Sequence, residues 1–396
     1  MAIDWTKQAC DLANDPHSGA PITRLTRTPM SNINIYGEQP NATADGNRIA
    51  YMRAPSHDPR IPPFTLCVAE LVGAHRTAVI EPVVSSHMVA TSSWSGLIYY
   101  LRPNGELIRV DLETLEKQIV ITHWDLPESF MMQSVSPDQR YVVGILHQPD
   151  YSSAIVRIDT RQRDWQVLYQ HEDSLGHLQY NPVHGRDILV QRNPGLHIDH
   201  LGRIRYSDHH SPGAVHFYID ADGSNERPLP LGEPITAGTC GHTAWVADTP
   251  RIGVAVRWPG MSVRPDDIAK GIRHDDRHRD GNFLTVGPED EKPIVFPAPD
   301  RLFNHVNVSR CGRYFVCDSY HNGIPGPIEL VVGNIQTGKY RTLVSDCGAQ
   351  GGAPACSHPH PYFTADNHHV IYNSDPHAIC HVHAARVPDG FLECLD

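Results

Sequence analysis

The sequence predicts an all-β protein: a seven-bladed β-propeller forming a single domain over residues 1–396, closed by pairing of the N-terminal strand with the C-terminal blade. Three observations predict it. A polar turn followed by an apolar strand recurs along the whole chain. Convincing amphipathic helices are absent, and the pattern allows only a short one near Trp5–Ala13. Strand-like segments at the two ends are placed to complete one sheet between them.

The repeat is clearest at Ala42–Tyr51, Ser134–Val143 and Thr364–Tyr372, each with an Asp in the turn and a strand behind it. Weaker copies lie at Tyr180–Val190, Trp245–Val254 and Val308–Val316, and a degenerate one at Ala90–Tyr100. The turns recur roughly every 45 to 63 residues, the spacing of four-stranded blades carrying loop insertions. Second hairpin tips follow at Asn104-Gly105, Asp222-Gly223 and Thr337-Gly338; Asn-Gly and Asp-Gly accept the positive φ such tips need. Pro21–Thr26 precedes the first full copy and Ile379–Val387 follows the last. Pairing them shuts the ring and removes the sheet edges that an open array exposes.

Composition narrows the function. Hydrophobic residues are 40% and charged residues 20% of the 396, the balance of a globular chain. The formal net charge of −12 argues against nucleic acid as a partner, which requires a basic footprint. No run approaches 18 apolar residues, so no membrane span is expected. Met1–Lys7 lacks a charged start leading into an apolar stretch, and the nine cysteines are scattered without a CxxC. Both features suit reduced thiols in the cytoplasm. The sequence carries no signal of oligomeric state.

The 26 histidines stand out. Five sit at one place in the repeat, on or just before the first strand: His177, His242, His305, His358 and His360. In a propeller the first strands line the central channel, so equivalent positions of different blades converge on one mouth. His358 and His360 of the His-Pro-His-Pro block would face one side of a strand, a chelating spacing. His305 adds a third nitrogen, and such a site suits manganese, iron, nickel or zinc. The alternative is a polar strand start with no metal. His242 reads either as a free imidazole ready to accept a proton or as a packing residue beside Trp245, and His177 is ambiguous in the same way. The run Arg273–Asp280 reads as a solvated mixed-charge loop.

These residues resemble the oligogalacturonate lyase family of bacterial polysaccharide lyases. The match is strongest at His358–Asp366 and Val370–Asp375. It is supported by Gly176–Pro182, Gly241-His242, the His305 segment and Ser18–Thr26, in order along nearly the whole chain. The resemblance implies a cytoplasmic seven-bladed propeller that cleaves short uronate oligosaccharides by β-elimination, leaving a 4,5-unsaturated uronosyl product. It implies a divalent metal, typically manganese, held by His305, His358 and His360, with His242 as the base that removes the C5 proton. Two positions depart from the family. Ala355 stands where the family supplies a glutamine ligand, with Gln350 nearby. Val215 stands where an arginine helps to bind substrate; Arg192, Arg203 and Arg205 are the candidate replacements, the last two in the inserted loop Leu196–Pro212. These departures allow a different uronate linkage. The competing reading is a non-catalytic, TolB-like propeller binding a sugar or a protein. A glycoside hydrolase would need a carboxylate pair that the histidine positions do not offer.

Overall fold

A computed structural model describes residues 3–396 except 28, 37, 59–60, 85–88, 123–125, 128, 208–212, 257–279, 321–326 and 350–357. The mixed-charge run from Arg273, together with Gln350 and Ala355, therefore lies outside the described residues. Apart from a 3-10 turn at Glu393–Leu395, the elements among the described residues are strands. No described helix is long and apolar enough to cross a membrane.

The strands form one sheet of eight, two of five, three of four and a separate two-stranded hairpin. Each large sheet is built from antiparallel meanders in chain order. The eight-stranded sheet holds two of them, joined in the middle by a single parallel bridge between Thr91 and Ser134. First strands of successive meanders touch: Phe130–Val135 meets Ser174–Tyr180, Thr239–Trp245 meets Phe303–Val308, and that strand meets Tyr362–Phe363. The architecture is an all-β propeller.

The repeated turn has a local cause. Thr43, Ser136 and Thr364 each donate a hydroxyl to the aspartate two residues on, at 2.5, 2.6 and 2.6 Å. The same hydroxyls accept the backbone N–H five residues on, from Arg48, Tyr141 and His369. This side-chain bracket closes the turn between first and second strands and is what made the repeat visible. Second and third strands are nearly continuous apolar runs, fully buried in the middle, as in Tyr141–His147 and Ser153–Asp159. They pack face to face with the sheets on either side, so the core is a ring of clusters between sheets.

Ring closure is as expected. Ile22–Arg24 pairs antiparallel with Ala385–His383, making the N-terminal strand the neighbour of the last C-terminal one. The short helix that the sequence allowed near Trp5–Ala13 does not form. Thr6–Lys7 instead pairs with Thr77 and Arg76, and Cys10–Asp11 with Arg24 and Thr23. Open outer edges are available to this segment, and pairing there satisfies backbone groups against strands already in place.

Asp15 locks the closing segment. Its carboxylate is buried and accepts the backbone N–H groups of His17, Ser18 and Ser345 and the Ser345 hydroxyl, at 2.6 to 3.0 Å. Asp15→Ala strands these donors, and is expected to cost about 1–3 kcal/mol of stability, read as a lower melting temperature. A change within about 0.5 kcal/mol would show that closure does not depend on this carboxylate.

Candidate metal and catalytic site

Three of the five histidines stand on irregularities of first strands. The register shifts between Gly176 and Gln179, between Thr239 and Thr243, and between Phe303 and Val306. His177, His242 and His305 lie inside these three shifts. A bulge breaks strict alternation and re-aims a side chain, a device common beside active sites. His177 also has φ of +51°, in the left-handed region.

His358 and His360 converge in a way that differs from the expectation. They are not on a strand, which begins only at Tyr362. His360 takes φ of +44°, and the Pro359 carbonyl accepts the Asn373 N–H at 2.8 Å. The turn, rather than strand pleat, brings the two rings to 5.8 Å between centroids. Their carbonyls are held as well: Asn34 Nδ2 donates to His360 at 2.8 Å and Asn373 Nδ2 to His358 at 3.3 Å.

His305, His358 and His360 each offer a ligand atom, all within 4.8 Å of one another. His305 is oriented from behind. Its Nδ1 lies 2.5 Å from Asp318 Oδ2, its backbone N–H donates to Asp318 Oδ1 at 2.6 Å, and Tyr320 donates to the same carboxylate at 3.3 Å. With Nδ1 committed to Asp318, Nε2 carries the lone pair; that atom is buried and has no hydrogen-bond partner. An orphaned imidazole nitrogen beside two further imidazoles fits a divalent cation.

Electrostatics keep these rings ready. Burial, then the neighbouring His358, pushes His305 well below the ordinary histidine value; burial, then His305, does the same to His360. Burial likewise raises Asp318 to about 7. Neutral imidazoles are the form that ligates metal.

His242 lies against this triad, its ring 4.1 Å from His305 between centroids. Burial, then His305, holds it well below the usual range, which favours the neutral ring. Its Nδ1 lies 2.5 Å from the Tyr36 hydroxyl and 3.9 Å from Glu38 Oε1. Glu38 itself binds His177, whose Nδ1 is 3.0 Å from each carboxylate oxygen, and accepts the Thr243 N–H at 3.3 Å. Glu38, His177 and His242 form a second group able to offer ligand atoms within 4.8 Å.

Tyr36 and Glu38 were missed by sequence reasoning. They lie on the loop into the first full repeat, the position that carries histidines elsewhere. The segment Asn34–Gln39 bridges the mouth: Asn34 binds His360, Tyr36 binds His242, Glu38 binds His177, and Gln39 donates to the carbonyls of Gln133 and Leu178. The repeat position itself is the signal in the sequence, and here it carries a tyrosine and a glutamate in place of histidine.

Beside these groups opens a cavity of about 490 Å3. Tyr36, Glu38, His177 and His360 line one part, with Val89, Met131, Leu175, Leu196 and Ile198 elsewhere in its wall. None of the three arginine candidates lines it. Arg192 turns to the other face of its strand, 3.0 Å from His171 Nε2. Arg203 is paired with Asp199 of its own hairpin, and Arg205 lies over Tyr151. Val215 opens the strand Val215–Asp220, opposite Arg192.

No family model matches the chain. An oligogalacturonide lyase of Pectobacterium atrosepticum is 25% identical over 331 residues, covering 74% of this chain and 75% of that one. An oligogalacturonate lyase of Dickeya dadantii is 24% identical over 322 residues, with the same shares. A solved oligogalacturonate lyase in complex with manganese superposes with a TM-score of 0.70 at 18% identity, over 99% of this chain and 98% of that one. The chain resembles the oligogalacturonate lyases. A second such structure, from Vibrio parahaemolyticus, gives 0.69 at 18% identity over 99% of this chain and all of that one. The RRP9 WD40 repeats give only 0.54 at 10%, a likeness of fold.

One pH dependence follows from the site. Burial opposes charge on His177, but the Glu38 carboxylate and its hydrogen bond outweigh it and raise the imidazole above 6.5. A raised folded value means that this contribution to stability is complete below about 6.5 and is lost as pH rises through the folded value. In a histidine NMR titration, His177 should titrate above the ordinary value, and Glu38→Gln should bring it down. An unchanged midpoint would break the assigned pairing.

Proposed function

We propose that this chain is a metal-dependent lyase that cleaves uronate-containing oligosaccharides by β-elimination at a carbon–oxygen bond, leaving a 4,5-unsaturated uronosyl product. The observation that carries the proposal is the imidazole triad His305, His358 and His360, with His305 Nε2 buried and unpartnered and His242 packed against it. The similarity to lyases that act on oligogalacturonides supports it over a binding propeller. Manganese is the metal we favour, because the similar solved lyase contains it; zinc, nickel and iron suit the same donors. Reading the eight-stranded sheet as two blades gives seven, in one domain over residues 1–396. We place the protein in the cytoplasm, a reading supported by its scattered, unpatterned cysteines.

The chain's own residues divide the chemistry. His305, His358 and His360 would hold a divalent cation, which would supply Lewis-acid stabilisation of the charge that develops at the uronate carboxylate. Asp318 fixes the His305 ring so that Nε2 faces the site. His242, neutral and buried, accepts the C5 proton. The apolar part of the cavity keeps bulk water from these groups and strengthens their electrostatics.

The direct test follows ultraviolet absorbance of the unsaturated product with oligogalacturonate, glucuronate-containing and alginate oligosaccharides. Metal-loaded protein should generate absorbance on one of these classes and chelator-treated protein should not. Silence of the loaded protein on all of them would overturn the proposal. Two variants separate the roles. His242→Ala should lose about 10²- to 10⁴-fold in turnover with bound metal unchanged. His358→Ala should lose the metal itself, and full metal content would remove it from the ligand set.

A further inference from the structure

β-Elimination needs two proton movements. The base removes a proton from C5, and the glycosidic oxygen leaving C4 must gain one, because a sugar alkoxide is a poor leaving group. Apart from the ligand His360, the titratable groups described in the cavity wall are Tyr36, Glu38, His147 and His177. Burial pushes Glu38 up, but His177 and His242 outweigh this and hold it below the usual carboxylate range, which favours the ionised form. Burial, only partly offset by Asp199, lowers His147 and favours its neutral ring. The Tyr36 hydroxyl lies 2.5 Å from His242 Nδ1, and Tyr36 has a further contact of its own.

His177 meets the requirement on geometry. Its Nδ1 lies 3.0 Å from each Glu38 oxygen, which commits that nitrogen to donating there. No described residue hydrogen-bonds Nε2, and the side chain is 30% exposed in the cavity wall while Glu38 behind it is 8% exposed. The ring is presented by a left-handed backbone, φ +51°, a strained conformation of the kind that clusters at active sites. Burial opposes charge on the ring, but Glu38 outweighs it, so an acidic proton is kept here beside a base kept neutral. Two like groups whose surroundings drive them apart are the mark of an acid and base pair.

We propose that His177 is the proton donor to the oxygen leaving C4, a role that rests on the lyase reading above. The C5–H bond breaks and its proton goes to His242 Nε2; its electron pair forms the C4–C5 double bond as the C4–O bond breaks. The departing oxygen takes the Nε2 proton of His177. Glu38 joins the two rings, with Oε1 3.9 Å from His242 Nδ1, and their centroids are 6.0 Å apart. As His177 loses its charge His242 gains one, so the buried carboxylate has a cationic partner before and after the step. Water then returns a proton to His177 and takes one from His242 once product has left. The order along the mouth also matches a uronate. His242 packs on His305 of the triad, while His177 touches His242 and makes no ring contact with the triad. The carboxylate on C5, the C5–H bond and the C4–O bond follow one another in the same sequence.

The test uses leaving-group dependence in the metal-loaded protein. Wild type, His177→Gln and Tyr36→Phe are compared on the oligouronate that wild type cleaves and on the same uronate carrying a 4-nitrophenoxy group at C4, whose departing phenolate needs no proton. His177→Gln, whose amide can still donate to Glu38, should fall about 10²- to 10⁴-fold in kcat on the sugar leaving group. It should stay within a few-fold of wild type on the nitrophenoxy substrate, with KM and bound manganese unchanged. Equal loss on both substrates would mean that His177 only holds Glu38 and His242 in place, and overturns the proposal. Wild-type kcat on the sugar substrate, or leaving-group sensitivity in Tyr36→Phe but not in His177→Gln, would overturn it too. Wild type supplies a second measurement that needs no variant to fold. A solvent deuterium isotope effect on kcat should appear with the sugar leaving group and vanish with nitrophenoxide; its absence with the sugar leaves no proton donor to assign. Wild type that is inert on both substrates would sink the lyase reading itself, and this role with it.

Discussion

A three-residue strand holds the ring shut, and the candidate site exists because it does. Ile22–Arg24 adds to the last sheet, and the chain then runs directly across the channel mouth as Asn34–Gln39. That passage brings the Asn34 backbone N–H to the Asn373 side chain, groups 339 positions apart. Closing so long a loop costs conformational entropy that grows only slowly with length. The return is a segment able to touch first strands from several sheets at once. Tyr36, Glu38 and Gln39 each reach a different one.

The fold was legible because its repeat is written in local chemistry. A hydroxyl two residues before an aspartate closes the turn, and an apolar run follows; neither needs tertiary context to be recognised. The histidines were legible for a related reason, since equivalent repeat positions meet at a common axis. What sequence did not convey was how each ring is aimed. His177, His242 and His305 owe their direction to register shifts, and His360 to a left-handed backbone angle. Both arise from tertiary packing. The expected strand pleat at His358 and His360 reached the right neighbours by the wrong geometry. Arg192 failed as a cavity residue because one step along a strand reverses the face, and Arg203 because Asp199 on its own hairpin competes for it. The short helix that the sequence allowed near Trp5–Ala13 lost to open sheet edges that only the folded ring provides.

The proposed function sets an acidic ligand against an acidic protein. The net charge is −12, so the overall field opposes an anion. Within the mouth, Glu38 is matched by His177, and three neighbouring imidazoles are kept neutral by burial. Among the described residues of the mouth, the strong attraction for the proposed carboxylate would come from the cation that His305, His358 and His360 would hold, and its reach is short. Selectivity should come from shape and from the apolar wall around Leu175, Leu196 and Ile198 more than from long-range steering.

The position of the closing strand has a consequence for biosynthesis. Ile22–Arg24 leaves the ribosome long before its partner at His383–Ala385. Until that partner emerges the nascent chain is an open stack of sheets with an unpaired closing strand, and Tyr36 and Glu38 have appeared long before His360. No chain shorter than this span can assemble the mouth, so its groups come together only once the closing strand finds its partner.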